Sequence, residues 1–224
     1  MRVLVIAPHM DDEVLGCGGV IQRFDDVTVL FVSEREDDQR YTEVDGYLPY
    51  SGLDRAEEME QVALKIGYLP VRLCYPLHGL DRMPTLELVE AFEPHLDGVE
   101  LIFAPGPSND ADHVAVRKAV QALRRPHRYS GSILEYHVWG TLDPFAAAVL
   151  VPLNGSEVAN KLTAIAAYQT QVAPGGQADP LYPYSPISVE AYMLATGRLC
   201  HARHAEAFMP IRLVPNHATA RLFE

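Results

Sequence analysis

Two rhythms alternate along this chain. Val3–Ala7 and Val27–Val32 are short, unbroken apolar runs, the pattern of strands buried on both faces of a parallel sheet. Between them Val14, Cys17, Gly18 and Ile21 recur at helical spacing, which predicts a helix over Asp12–Phe24. A second helix is expected over Asp54–Ile66, with Ala56, Met59, Ala63 and Ile66 on one face and Gly67 as its stop. Strand Val71–Tyr75, helix Thr85–His95 and strand Leu101–Ala104 follow. The next helix, Asp112–Arg125, carries Val116, Val120 and Leu123 on one face, and Pro126 ends it. Ile133–Val138 and Ala148–Leu153 read as further strands, Glu157–Gln171 and Ile187–Gly197 as helices, and Ala207–Val214 as a closing strand.

Alternation of this kind implies right-handed crossovers and a mostly parallel sheet covered on both faces: an α/β, Rossmann-like, three-layer fold. No repeat or linker interrupts it, so residues 1–224 read as a single domain. Two stretches break the rhythm. Residues 34–52 show no period and exceed the roughly 2–6 residues usual for an α/β connection, as a lid or binding loop would. Residues 173–186, APGGQADPLYPYSP, form a Pro/Gly/Tyr-rich loop.

Composition narrows the class. With 224 residues, 48% hydrophobic and 21% charged, the chain can bury a substantial core and is neither disordered nor fibrous. Thirty acidic against 18 basic residues give a net charge of −12, which repels phosphate backbones and argues against a nucleic-acid partner. Three separated cysteines, Cys17, Cys74 and Cys200, read as reduced thiols of a cytoplasmic protein. No run reaches the roughly 18 apolar residues of a membrane span, and MRVLVIAP is too short for a signal peptide.

The chemistry concentrates in two places. Pro8-His9-Met10-Asp11-Asp12-Glu13 follows the first strand and opens a helix, at the strand end where open α/β sheets collect ligands. Its plainest reading is a helix cap, with Asp11 or Asp12 at the N-terminus and Glu13 on the positive end of the dipole. That accounts for one carboxylate but not for four titratable groups at the mouth of a buried strand. Gly16, Gly18 and Gly19 suggest a dinucleotide loop, yet they lack the G-x-G-x-x-G order and lie inside the helix, where close packing on the sheet is the better reason for them. Pro107-Ser108-Asn109-Asp110-Ala111-Asp112-His113 repeats the layout after the fourth strand. Ser108, Asn109, Asp110 and Asp112 all qualify as caps there. If the two strand ends face one crevice, two imidazoles and a carboxylate with a vacant position make a catalytic zinc site, and a further carboxylate can take the proton of the attacking water.

APHMDDEVLGCGG resembles the signature of the LmbE-like, or PIG-L, de-N-acetylases, which include N-acetylglucosaminyl-phosphatidylinositol deacetylase. Their first strand ends in P-H-x-D-D-E, and Ser108–His113 is similar to their downstream D-H element. Weaker echoes are Arg55…Glu58…Ala63…Gly67, Lys161…Gln169-x-Gln171 and Ala205-Glu206-Ala207-Phe208. The resemblance implies that His9, Asp12 and His113 bind zinc, that Asp11 is the general base, and that Glu13 supports the site without touching the metal. Several members carry a histidine three residues before the last ligand to stabilise the oxyanion or act as general acid; here that position is Asp110. Either another residue fills that role, with His137 the expected substitute ahead of His78, His201 and His204, or the chain belongs to a branch with a P-S-x-D-type loop. Asp110 and His137 are both candidates to contact substrate. Arg35 is expected to line the crevice and bind substrate, while the rest of Glu34–Asp38 reads as a solvated acidic loop. Trp139, Tyr182 and Tyr184 are candidates to stack on a sugar.

The reaction so implied is zinc-dependent removal of an N-acetyl group from an N-acetylglucosamine-like amino sugar or its conjugate. A non-catalytic sugar- or nucleotide-binding module on the same scaffold, and a metal-dependent amidohydrolase of another small acyl-amine, are the competing readings.

Overall fold

The computed structural model describes residues 1–35, 39–40, 50–138, 145–172 and 184–224. Trp139, Tyr182 and most of the 34–52 and 173–186 loops lie outside the described residues. The elements are β1 (Arg2–Ala7), α1 (Asp12–Cys17), β2 (Asp26–Ser33), β3 (Gln39–Arg40), β4 (Tyr50–Ser51), α2 (Gly52–Ile66), β5 (Leu69–Tyr75), α3 (Thr85–Phe92), β6 (Val99–Pro105), α4 (Ala111–Leu123), β7 (Ser132–Tyr136), β8 (Val149–Leu153), α5 (Gly155–Ala167), α6 (Gln169–Val172), α7 (Pro186–Leu199), β9 (His204–Arg212) and α8 (His217–Arg221). Short 3₁₀ turns occupy Val20–Arg23, Leu80–Arg82 and Glu93–His95.

Seven strands form one sheet in the order β5-β2-β1-β6-β7-β9-β8. β5, β2, β1, β6 and β7 are parallel, and β9 runs antiparallel to both β7 and β8. Side chains alternate across a strand, and here the two sets enter different cores. Val3, Val5, Ala7, Val29, Phe31, Leu101 and Phe103 pack with apolar residues of α1, α2, α5 and α7. Leu4, Ile6, Leu30, Val32, Ile102 and Ala104 pack with those of α3 and α4. Because both sets are apolar, the central strands read as continuous hydrophobic runs.

The chain builds outward from β1 to β2 and β5, then crosses back to lay β6 on the other side of β1. A crevice opens where the strand order reverses. That point lies beyond the carboxyl ends of β1 and β6, where His9–Glu13 and Asp110–His113 follow.

Several expected elements are divided differently. The helix expected over Asp12–Phe24 ends at Cys17 and resumes only as a 3₁₀ turn. The N–H groups of Gly19 and Val20 donate to the Glu206 carboxylate at 2.8 and 2.9 Å instead of continuing the helix. The Glu157–Gln171 helix breaks at Tyr168 into α5 and α6, β9 begins at His204, and α8 carried no sequence expectation. Close approach explains Gly16, where a Cβ would stand 2.2 Å from the Tyr136 ring.

Candidate metal and catalytic centre

The turn between β1 and α1 is held from both sides. The Pro8 carbonyl accepts from the Ser33 N–H and hydroxyl at 3.0 and 2.7 Å, tying it to the end of β2. The His9 N–H donates to Asp12 Oδ2 at 2.9 Å, folding the turn onto the helix it opens. Asp11 stands at the N-cap position with φ of 154° but makes no side-chain cap. A non-glycine residue held there signals a position over-determined by its surroundings. Freed from capping, the Asp11 carboxylate lines the cleft.

Asp12 Oδ2 lies 3.1 Å from His113 Nε2 and 3.5 Å from His9 Nδ1, and the two ring nitrogens are 3.3 Å apart. All three side chains are buried. Ligands at about 2.0–2.1 Å around a tetrahedral cation stand about 3.3–3.4 Å from one another. The triangle therefore already has the spacing of three corners of such a site, and the donor set of two imidazoles and a carboxylate fits a divalent ion. Burial tends to raise the Asp12 pKa, but His113 and His9 outweigh it and hold the carboxyl well below its ordinary range.

His9 uses its other nitrogen on a residue that the sequence reading treated only as a possible cap. Nε2 lies 3.3 Å from Asp112 Oδ2, and the Asp112 carboxylate also accepts the N–H groups of His78 and Leu80 at 2.8 and 3.0 Å. Such a carboxylate behind a histidine sets its tautomer and ring orientation. Burial disfavours the charged His9 ring, yet Asp112 and Asp12 more than compensate and raise its pKa.

On the other side of Asp11 stands Arg55, 1% exposed. Its guanidinium lies 3.1 Å from Asp11 Oδ2, donates to Glu34 Oε1 at 2.7 Å, and also donates to the Met10 carbonyl. Glu34 Oε2 accepts the Met10 N–H at 3.1 Å. Burial lifts the Asp11 pKa to about 6 against the pull of Arg55. Behind the turn, Glu13 accepts from the hydroxyls of Tyr68 and Tyr168 at 2.9 and 2.7 Å, and burial raises its pKa to about 7.

A cleft of about 370 Å³ opens over these groups. It is lined by His9, Asp11, Asp12, Leu15, Arg55, His78, Ser108, Asn109, Asp110, His113, Gln171 and Tyr184. Asp110 is the N-cap of α4, its Oδ1 accepting the Asp112 and His113 N–H groups at 2.9 and 3.1 Å. Two expectations are corrected in placement. His137 lines a separate cleft, its ring stacked on Phe145 with centroids 4.9 Å apart and its Nδ1 3.4 Å from the Tyr192 hydroxyl. It follows β7, one strand further from β1 than β6, and packs toward α7. Glu34, read as a solvated acid, is instead buried in the site, while its neighbour Arg35 is exposed. Glu34 has φ of 76°, and its carboxylate meets Arg55. No local pattern marks Glu34, Arg55 and Asp112 as partners, because each belongs to a different element.

Among the described residues, no helix is long and apolar enough to cross a membrane. No curated protein matches the chain. Among solved structures, the conserved protein TT1542 from Thermus thermophilus is 24% identical, with 96% of this chain and 98% of that chain covered and a TM-score of 0.70. The N,N'-diacetylchitobiose deacetylase from Pyrococcus horikoshii is 19% identical, with 94% and 83% covered and a TM-score of 0.70. A zinc inhibited form of teicoplanin deacetylase is 14% identical, with 94% and 97% covered and a TM-score of 0.67. These likenesses are of fold. The family model of the GlcNAc-PI de-N-acetylases, PIG-L, matches residues 4–123, a span that contains both acid/histidine clusters. With more than half of its 224 residues matched, the chain belongs to the PIG-L de-N-acetylase family, whose members are hydrolases.

Proposed function

We propose that the chain is a zinc-dependent N-deacetylase, releasing acetate from an N-acetylglucosamine-like amino sugar or its conjugate. One observation carries this reading: the buried His9–Asp12–His113 triangle with the Asp11 carboxylate beside it at a solvent-accessible cleft. His9, Asp12 and His113 would hold the ion. Zinc, when bound, polarises the acetamide carbonyl and lowers the pKa of water at the site.

The chain's own groups supply the rest. A carboxylate with a pKa near 6 is ionised at neutral pH yet more basic than an ordinary aspartate, which suits a general base. Asp11 takes the proton of the water that attacks the acetamide carbon. It then returns that proton to the nitrogen as the C–N bond breaks, leaving acetate and a free amine. Arg55 holds the carboxylate in place and is itself held by Glu34. Tyr184 lines the cleft and would stack on a sugar ring bound there. A deacetylase named for N,N'-diacetylchitobiose shares the fold, which favours a sugar substrate over other acyl-amines.

The test is acetate release from N-acetylglucosamine glycosides and from simple acyl-amines, with metal content measured on the same samples. Asp11→Asn is expected to keep its zinc and lose about 10²–10⁴-fold in kcat, the range of general-base catalysis. Bound zinc without release from any substrate would leave a binding module. Unchanged turnover in Asp11→Asn would remove Asp11 from the mechanism.

A further inference from the structure

The cleft holds a second set of donors, two of which the proposed reaction does not use. A ring nitrogen of His9, a ring nitrogen of His78 and a carboxylate oxygen of Asp110 lie within 4.8 Å of one another. Neither outer donor is there by chance of a loose surface. His78 sits in the left-handed region, with φ of 55°, a conformation a non-glycine residue keeps only when its surroundings impose it. Asp112 imposes it, receiving the His78 and Leu80 N–H groups on its two oxygens. Asp110 is fixed in turn by the start of α4 through Oδ1, which leaves Oδ2 available to a ligand.

We propose that His9, His78 and Asp110 form a second, weaker site for a divalent transition metal, and that filling it inhibits the site built on His9, Asp12 and His113. The inference rests on the reading of that triangle as a metal site. Two imidazoles and a carboxylate select zinc, copper or nickel over magnesium or calcium. The site is weaker because His78 is exposed and because His9 Nε2 already lies against Asp112.

Inhibition follows from the shared histidine. With His9 Nδ1 turned to Asp12 and His113, a cation on the second set is left with Nε2, the nitrogen that lies against Asp112. A neutral imidazole offers one lone pair and keeps a proton on its other nitrogen. Both nitrogens can serve metals at once only if the ring also gives up its second proton to solvent, so the second cation binds weakly. It breaks the Nε2–Asp112 bond that orients the ring for the first, and inhibits without expelling it.

The experiment is a zinc titration of chelator-stripped protein by equilibrium dialysis with elemental analysis, beside the deacetylation rate against free zinc. Wild type is expected to bind a first equivalent tightly and a second more weakly, its rate falling as the second fills. His78→Ala should keep the first equivalent and weaken the second at least roughly tenfold, a loss that even outer-sphere substitutions reach. Its rate, scaled to its own maximum, should then hold level where wild type declines. Asp110→Asn, which preserves the capping oxygen, should do the same. Magnesium should produce no decline. A single equivalent in wild type, or a second one undisturbed by either substitution, overturns this proposal alone. Protein that takes up no zinc overturns the first site as well.

Discussion

Lys161→Met tests what holds the site-bearing helix to the rest of the molecule. Lys161, from α5, places its ammonium 2.6 Å from Glu206 Oε1 on β9 and donates to the Leu15 carbonyl at 2.9 Å. The same carboxylate accepts the Gly19 and Val20 N–H groups. Both side chains are almost wholly buried. Methionine matches the length of the lysine stem but leaves the buried Glu206 charge without its cation, held only by the Gly19 and Val20 N–H groups, a loss of about 3–5 kcal/mol for a broken buried pair. With a urea slope of about 2–3 kcal/mol/M, the unfolding midpoint should fall by about 1–2 M. Glu206→Gln should cost a similar amount by stranding Lys161, and the double variant should cost clearly less than the two together. Equilibrium unfolding by circular dichroism measures all three. A Lys161→Met loss below about 1 kcal/mol, or simple additivity, would refute the claim that this pair anchors α1.

Glu13 should make stability fall with pH. The folded carboxyl keeps its proton to about pH 7, while an unfolded one releases it near 4.5, so the folded state loses about 3 kcal/mol as pH rises through that window, at 1.36 kcal/mol per unit. In metal-free protein, Glu13→Gln should lack this decline between pH 5 and 8, and parallel wild-type and variant curves would contradict it. Asp110→Ala should cost about 0.5–2 kcal/mol through the lost α4 cap, and Asp110→Asn much less, by thermal unfolding. Gly16→Ala should destabilise by about 1–3 kcal/mol, because its Cβ would meet the Tyr136 ring, itself fixed by a bond to the Ile6 carbonyl. A Gly16→Ala melting temperature equal to wild type would show that the ring can move aside.

Legibility in the sequence followed the range of the interaction. β1, β2 and β6 were readable because both faces of a central strand are apolar, and that shows in five or six consecutive residues. The two turns that carry His9, Asp12 and His113 stood out because each lies between a strand end and the helix that follows, where such folds gather chemistry. Glu34 was read as a solvated acid but is buried, since adjacent polar residues differ only in which one the backbone turns inward. His137 was placed in the wrong cleft, because a strand's position in the sheet is not a property of its own residues. Lys161 and Glu206 were noticed separately, without sign that they meet.

What this sequence settled unaided was local: alternating periods, two acid/histidine turns, and a strand–helix order that admits few topologies. Which turns face each other was decided only when β6 paired with β1 and brought His113 within 3.3 Å of His9, across 104 residues of chain. Pairing of that kind depends on burying both faces of the whole sheet at once. The partners that orient the site, Asp112, Arg55 and Glu34, therefore become visible only in three dimensions.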